Sequence, residues 1–454
     1  MNNNVNLVLD VDQNPKKITH WILFAIQHIL AMFVACITVP MLTGLPIDAT
    51  IVAAGIGTLF YILVTKKKSP VFLSSSFAYI APIASALALG SAVNDNFLAV
   101  IIGMVIVGLV YVIIAVIIKF VGTAWLDKLL PPVVIGPVIM VIGLGLSVSA
   151  INNLQNTAVS ADNYNIIYVV CGLVAMFATA LSAVYGKKTI KLIPFVIGII
   201  AGYLCATIFT VIGNVADVEL LKVIDFSVIT NNFKPVTFES FLKVPDFLFL
   251  KDFSSFDIKQ LPEILLLFGP VSLVTVCEHI GDHKNLSNII GKDLLKDPGL
   301  TRTLIGDGVA TAISGGICGA ANTTYGENVA VIGVSKIASV GVIILAAIVT
   351  IFLGFFRPLM CVVETIPACI TGGVSLILYG FIASSGVKML INNKVDFGNT
   401  KNIFVASVIL VAGIGGLVIN ISGVKITATA VAMILGIILN VILKDKEATN
   451  ENNL

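Results

Sequence analysis

Apolar stretches recur along almost the whole chain, from Trp21 to Leu443, and short polar breaks separate them. Most are close to the roughly 20 residues that an α-helix needs to cross a bilayer, although the third and tenth are short. The pattern predicts fourteen membrane segments, near 19–43, 48–65, 74–90, 96–119, 130–150, 164–185, 190–213, 261–282, 302–319, 323–338, 339–356, 365–387, 402–421 and 425–443. We therefore expect an all-α polytopic membrane protein embedded in the lipid bilayer.

Composition agrees with this interpretation, because 57% of the 454 residues are hydrophobic and only 11% are charged. Soluble domains carry about 25% charged residues, so a soluble globule with one anchor is excluded. The net charge of +2 does not indicate nucleic-acid binding, since the lysines are spread over loops. The polar N-terminus and a first apolar run without a cleavage site predict no cleavable signal peptide. The seven cysteines lie in or beside apolar segments without a C-x-x-C pair, so we expect no disulfide framework.

The distribution of basic residues predicts the orientation. With the N-terminus inside, the fourteen segments place 20 of the 27 Lys and Arg residues on the cytoplasmic side and 7 outside. Cytoplasmic loops carry an excess of these residues in membrane proteins. The sequence therefore predicts a protein of the cytoplasmic membrane with both termini in the cytoplasm.

The two halves of the chain share landmarks. Pro131 precedes Gly136, and Pro367 precedes Gly372, at an offset of 236 residues. The serine-rich break at 74–76 and the Asn-Thr-Thr break at 322–324 differ by 248. Two seven-segment repeats would have to be inverted because seven is odd, and inverted repeats with interrupted helices are typical of secondary transporters. Chance coincidence of common membrane-helix residues is the alternative.

The two polar breaks predict helices that begin inside the membrane. Ser74–Ser76 and Asn322–Thr324 are good helix-capping residues, so helices are expected to start near Phe77 and near Gly326. A helix N-terminus offers unpaired N–H donors and the positive end of a dipole. If both starts meet at mid-membrane, they enclose a small polar space.

Glu278 and Glu327 lie in this apolar surrounding, where a charged side chain costs at least about 2.5–3.5 kcal/mol. Two retained carboxylates indicate a transporter that uses them on a solute, a proton or both. Glu278 lies within an apolar span that favours its neutral form, so it is the predicted proton carrier. Glu327 lies in a predicted first helical turn and is the predicted substrate reader. Carboxylate acceptors beside N–H donors suit a planar nucleobase.

Aromatic residues near the breaks have two interpretations. Phe77 and Tyr325 could flank a planar ring. Ordinary helix packing is the alternative for both, as it is for Tyr379.

The segment EHIGDH contains two pairs of polar residues at helical spacing. Glu278 and Asp282 share one face, and so do His279 and His283. The order differs from the H-E-x-x-H of zinc proteases and no third ligand is evident, so we expect no metal. His283 begins a cytoplasmic run and is predicted to be solvated, His279 to be packed, and Asp282 to lie in the pathway or at its mouth.

Two further polar residues fall within membrane segments. His28 is expected either to hydrogen-bond to Glu278 or to stabilise a neighbouring helix, and the residues leave both open. Asp307 is expected to tie two helices together through a hydrogen bond.

The chain resembles the nucleobase–ascorbate transporter family over nearly its full length, and most of all the family's bacterial uracil permeases. The segments that carry the resemblance are QHILAMFVACITVP, LSSSFAYIAP, EHIGD, KDPGLTRTLIGDG, NTTYGEN and GGVSLILYG. The resemblance implies two inverted seven-helix repeats, with short strands before broken helices three and ten. In place of a Gly and a Thr that the family motif has after NTTYGEN, this chain has Ala330 and Ser335.

The resemblance also implies a division into a core and a gate domain. The expected parts are a cytoplasmic N-terminus at 1–18, core 19–120, gate 121–213, an extracytoplasmic loop at 214–260, core 261–357, gate 358–443 and a cytoplasmic tail at 444–454. Family members are commonly dimers, so a homodimer is expected.

Carried over residue by residue, the resemblance implies a substrate site and a set of proton-coupling groups. The implied substrate-binding residues are Glu278, Glu327, Phe77, Gly326, Tyr325, Ala35, Ser375 and Tyr379. The implied proton-coupling residues are Glu278, Asp282 and His28. The expected function is proton-coupled uptake of uracil by alternating access, without a cofactor. The alternatives are a xanthine or other purine symporter on the same fold, and an anion exchanger or channel of similar architecture. An enzyme is not expected, because no nucleophile–base pair or nucleotide loop is present.

Overall fold

The computed structural model describes residues 7–90, 96–156, 164–187, 190–191, 193–247, 256–421 and 424–443. The predicted tail at 444–454 lies outside the described residues, as does part of the predicted N-terminal segment. The described chain forms eighteen α-helices and four short strands.

The α-helices account for most of the described chain. Their bounds are α1 Ile18–Thr43, α2 Ile47–Val64, α3 Ile80–Leu87, α4 Phe97–Val121, α5 Ala124–Leu129, α6 Pro132–Gly145, α7 Ser147–Gln155, α8 Ile166–Tyr185, α9 Pro194–Ala216, α10 Ser227–Asn232, α11 Leu261–Ile290, α12 Leu300–Gly316, α13 Gly326–Ser335, α14 Val340–Phe355, α15 Arg357–Glu364, α16 Ala368–Asn392, α17 Thr400–Ile414 and α18 Ala428–Ile442. The strands are β1 Leu73–Ser75, β2 Asn322–Thr324, β3 Ile419–Ile421 and β4 Val424–Ile426. The prediction of a mostly helical protein is confirmed.

Eight helical stretches in the described residues are long and apolar enough to cross a membrane, and several shorter apolar helices accompany them. Their ends follow local chemistry. The longest helix, α11, has proline in its first turn and ends at Gly291, whose positive φ of 71° suits a residue without a Cβ. The Gly291 amide donates to the Ser287 carbonyl at 2.9 Å and closes the last turn. Every predicted segment coincides with at least one helix.

Strands β1 and β2 form a short antiparallel ladder in the middle of the protein. Leu73 pairs with Thr324, and Ser75 pairs with Asn322. A short 3₁₀ turn, Phe77–Tyr79, leads from β1 into α3, and β2 leads directly into α13. Since the strands are antiparallel, the two helices leave from opposite ends of the ladder. The strands that were expected before the third and tenth segments are present.

Helix packing falls mainly within two sets. In the first, α4 packs on α12, α2 packs on α14 and on α12, and α1 packs on α14. In the second, α8 packs on α9 and α16, α6 packs on α16, and α17 packs on α18 and α6. We call these the broken-helix set (α1–α4 and α11–α14) and the wall set (α6–α9 and α16–α18). Fewer contacts join the sets, most of them through α11.

Helices cross at small residues in both sets. A Cβ built on Gly108 of α4 would lie 2.7 Å from the backbone oxygen of Gly308 on α12. One built on Gly136 of α6 would lie 3.0 Å from the backbone oxygen of Gly386 on α16. Small residues at such crossings let helix backbones approach closely, as is common in membrane proteins.

Contacts of the N-terminal segment show which helix ends lie on the same face of the protein. The amide of Val8 donates to the carbonyl of Lys336 at 2.8 Å, just after α13. Lys292, just after α11, pairs with Asp10 at 2.7 Å. The ends of α11 and α13 therefore lie on the same face as the N-terminus, which we call the N-terminal face.

Candidate functional site

A cavity of about 610 Å³ lies between the two helix sets, where β1 and β2 pass into their helices. The broken-helix set contributes Phe77, the stretch 323–327 and one face of α11. The wall set contributes Ile142 of α6 and residues of α16 that begin at Leu378. The volume and the mixed lining suit a small organic solute.

Two helix starts line this cavity. Ser76 follows β1 in an extended conformation, and its amide donates to the Ala321 carbonyl at 2.9 Å, which holds the start of the first broken helix. Tyr325 has the same role before α13 and is also extended. The amides of Phe77 and Gly326, the first residues of the two helices, have no acceptor within their own helix, so they are available as donors for a solute.

Three carboxylates line the same space. Glu278 and Asp282 lie one turn apart on α11, and Glu327 lies in the first turn of α13. A Cβ built on Gly326 would lie 3.8 Å from Oδ1 of Asp282, so this carboxylate is close to the start of α13. Of the other residues predicted to bind substrate, Phe77, Tyr325 and Gly326 line the same cavity as these three carboxylates.

The other predicted site residues lie behind the cavity wall. Ala35 and Ser375 have no exposed surface, Tyr379 is 2% exposed, and none of the three lines the cavity in this conformation. His28 is also buried, and its Nδ1 lies 2.9 Å from Oδ1 of Asn328. Of the two alternatives for His28, the structure therefore shows the contact with a neighbouring helix, in the turn that carries Glu327.

The mouth of the cavity contains polar residues that sequence reasoning missed. Asn285 and Asn288 continue the face of α11 that begins with Glu278, and Lys388 and Asn392 face them from α16. The helical spacing of Glu278, Asn285 and Asn288 was a readable signal for a continuous polar face. The mouth opens where α11 and α16 end, on the N-terminal face.

A buried hydrogen-bond network lies on the other side of α11. Nδ1 of His279 lies 2.5 Å from Oδ2 of Asp307, which joins α11 to α12 as expected for Asp307. His283 lies one turn further, with Nε2 2.6 Å from the hydroxyl of Tyr61 on α2. The Tyr61 hydroxyl also lies 2.9 Å from Oγ of Ser69.

The prediction that His283 is solvated is wrong, because its side chain has no exposed surface. Nδ1 of His283 is 2.9 Å from the carbonyl oxygen of His279, to which it donates. This leaves Nε2 as the acceptor for the Tyr61 hydroxyl, so the neutral form of His283 satisfies both contacts. The polar sequence after His283 suggested a solvated segment. In the structure α11 continues as a packed helix to Ile290, which keeps His283 buried.

Comparison with known families decides the class of this protein. The family model Xan_ur_permease, described as "Permease family", matches residues 19–422. The chain belongs to the nucleobase–ascorbate transporter family. This confirms the resemblance carried by EHIGD and NTTYGEN, and it confirms the expectation of a permease and not an enzyme.

Curated members of the nucleobase–ascorbate transporter family are similar over nearly their whole length. A uracil permease of Bacillus caldolyticus is 41% identical over 98% of this chain and 96% of the permease. That of Bacillus subtilis (strain 168) is 40% identical over 93% and 92%, and that of Escherichia coli (strain K12) is 33% identical over 92% and 90%.

Solved structures with a similar fold are more distant in sequence. The transmembrane domain of the cyanobacterial bicarbonate transporter BicA has a TM-score of 0.62 and 14% identity, over 95% of this chain and 98% of that domain. Inward-facing murine Slc26a9, an anion transporter, has a TM-score of 0.64 and 10% identity, over 95% of this chain and 69% of the transporter. These likenesses show that the chain shares the fold of these transporters. The permease relatives and the long apolar helices show a multi-pass membrane protein.

Proposed function

We propose that this transporter carries uracil into the cell together with protons, by alternating access across the cytoplasmic membrane. The observation that supports this proposal most directly is the cavity in which Glu278 and Glu327 lie beside two helix starts. Uracil presents ring N–H donors and carbonyl acceptors in one plane. The carboxylate oxygens accept from the ring N–H groups, and the backbone amides at Phe77 and Gly326 donate to the carbonyl oxygens of the base. The names of the curated relatives support the same substrate.

The roles of the two glutamates follow from their places in the helices. Glu327 lies in the first turn of α13, where the helix dipole favours a fixed negative charge, and reads the base. Glu278 lies in the middle of α11 and carries the proton, with Asp282 one turn closer to the mouth. His28 supports the site through Asn328, next to Glu327. Ala35, Ser375 and Tyr379 join the site when the helix sets shift.

Helix packing supports an inverted repeat of two seven-segment halves. If each helix is replaced by its counterpart in the other repeat, the α4–α12 pair becomes the α14–α2 pair. Both pairs are among the most extensive helix–helix contacts. In the same way, the α8–α9 pair becomes the α17–α18 pair. On this basis the broken-helix set is the core domain (19–120 and 261–357) and the wall set is the gate domain (121–213 and 358–443). We expect 214–260, between the two, to be an extracytoplasmic loop.

The open mouth defines the direction of this conformation. The positive-inside distribution favours a cytoplasmic N-terminal face, and in that orientation the cavity is open inward. Protonation of Glu278 and binding of uracil favour reorientation of the core domain against the gate domain, since coupling requires that each ligand stabilise the two states differently. We expect the working unit to be a homodimer.

Uptake of labelled uracil into proteoliposomes tests the function. An imposed inward proton gradient is expected to drive accumulation that a protonophore abolishes and that excess unlabelled xanthine leaves unchanged. Empty liposomes supply the background. Accumulation of uracil without any dependence on the gradient would contradict proton coupling.

A parallel assay with labelled xanthine separates the nearest alternative. Gradient-driven uptake of xanthine without uptake of uracil would overturn the assignment of uracil as the substrate. It would still agree with proton-coupled transport. Movement of chloride or bicarbonate would point to an anion exchanger, which three carboxylates in the cavity disfavour electrostatically.

A further inference from the structure

A second cavity of about 230 Å³ lies next to the main one. Phe77, Ala78 and Ile142 line both cavities. The remaining walls of the second cavity come from the ends of α6 and α17 and from the start of α18. A layer of side chains therefore separates two voids that together extend across the site.

The course of α6 shows that the two cavities follow one another toward the far face. Ile139 lines only the main cavity, Ile142 lines both, and Gly145 and Leu146 line only the second. These residues span about 10 Å along the helix axis. A Cβ built on Gly143 would meet the backbone oxygen of Tyr379, and Gly136 packs on Gly386, so α6 runs antiparallel to α16. Since α16 ends on the N-terminal face, the second cavity lies toward the opposite face.

The lining of the second cavity suits a neutral planar ring. The Phe77 side chain offers an apolar wall, and Thr427 and Thr429 contribute hydroxyl groups. No charged residue is among the described residues that line it, in contrast to the main cavity with its three carboxylates. A neutral nucleobase carries no charge that must be stripped of water or paired with a counter-charge, so it can pass through such a space.

We propose that the second cavity is the far half of the solute's path, and that Phe77 and Ile142 form the barrier that separates it from the main site in this conformation. Each of these side chains is only 8% exposed. Phe77 belongs to the broken-helix set and Ile142 to the wall set, so a displacement between the sets parts them. This inference rests on the proposed transport function, because it assigns the route of that same solute.

Paired cysteine substitutions test the route. At both Gly145, in the second cavity, and Gly281, in the main cavity, a Cβ would have no atom within 4 Å. A membrane-impermeant methanethiosulfonate is applied to either face of oriented vesicles, with the unsubstituted chain as the background for its seven native cysteines. We expect Gly145→Cys to react from the far face and Gly281→Cys from the N-terminal face. Modification of Gly145→Cys should also block uptake.

The result that overturns the route is reaction of Gly145→Cys from the N-terminal face as fast as Gly281→Cys, or no reaction from the far face in a variant whose Tm matches that of the parent. Side-specific labelling requires neither uracil nor a proton gradient. Failure of uracil uptake with intact labelling would therefore count against the proposed function and not against the route.

A second pair of substitutions tests the barrier. Ile142→Ala is expected to raise the labelling rate of Gly145→Cys from the N-terminal face by about tenfold, equivalent to a barrier lowered by about 1.4 kcal/mol. Ile139→Ala is the matched control, because Ile139 lines the main cavity alone. An equal effect of both substitutions, or no effect of Ile142→Ala, would overturn the assignment of the barrier.

Discussion

Glu278 and Glu327 line one cavity from different helices, and their local surroundings differ. Glu327 lies in the first turn of α13, where unpaired amides favour a charged acceptor. Glu278 lies in the middle of α11, where the backbone amides are used within the helix. Replacing either carboxylate by an amide removes its ability to carry charge while keeping its size, so the two variants separate the two roles.

Glu327→Gln should weaken uracil binding about 10- to 100-fold, because a hydrogen bond to a charged group contributes about 1.5–3 kcal/mol. Titration calorimetry with the detergent-purified transporter measures this. Asn285→Ala, at the cavity mouth, is the control and should bind uracil like the parent. Unchanged affinity and selectivity in Glu327→Gln would contradict its role as the reader of the base.

Glu278→Gln should abolish gradient-driven accumulation of uracil, because the amide cannot take up a proton at this position. Exchange of labelled for unlabelled uracil across the membrane, without a gradient, should be retained. Proteoliposome assays of both modes check this. Accumulation against a concentration gradient by the Gln variant would show that another group carries the proton.

Tyr61→Phe should lower the free energy of unfolding by about 1–3 kcal/mol, because it leaves buried Nε2 of His283 without its donor. The matched control is Tyr111→Phe. Tyr111 is equally buried and meets His279 edge-on through its ring, a contact that Phe keeps. Thermal unfolding in detergent compares the two Tm values. Equal Tm values would argue against the network as a stabilising link between α2 and α11.

At the scale of elements, the position of the site depends on two close helix crossings. Helix α12 precedes β2, and α4 packs on α12 through Gly108 and Gly308. A second close contact joins α2 to α14, where a Cβ on Gly55 would meet the backbone oxygen of Ala347 at 2.6 Å. These crossings hold the β1–β2 ladder between rigid helices. The helix starts at Phe77 and Gly326 are thereby fixed relative to α11.

Gly108→Ala should destabilise the protein by about 1–3 kcal/mol and reduce uptake, because the added methyl group separates α4 from α12. Gly380→Ala, in the middle of α16, is the control, since a Cβ built there would have no atom within 4 Å. Ala has the higher helix propensity, so that variant should be as stable as the parent or slightly more stable. Similar losses of Tm in both would contradict the importance of the crossing.

At the scale of the whole molecule, a solute bound between two helix sets links them. Saturating uracil, at about 100 times its Kd, should therefore add about 2.7 kcal/mol to the free energy of unfolding and raise the Tm. Thermal scans in detergent with uracil, xanthine and bicarbonate measure this. Glu327→Gln should lose the response to uracil. A Tm rise with bicarbonate alone would favour the anion-transporter alternative.

The sequence by itself determined the multi-pass helical class, the two breaks and the family. Hydrophobic runs and caps are local, and a bilayer forces each run to satisfy its own backbone hydrogen bonds, so helices form where the pattern places them. The helix starts near Phe77 and Gly326 and the first-turn position of Glu327 could be read for the same reason.

Only the tertiary structure decided which polar groups meet. Tyr61 and His283 are 222 residues apart in sequence, and no local pattern indicates that they bond or that His283 is buried. The same holds for Ser375 and Tyr379, which lie behind the cavity wall because the relative placement of the two helix sets determines which face of α16 lines the cavity. Long-range packing sets that placement, and with it the boundary between the two cavities at Phe77.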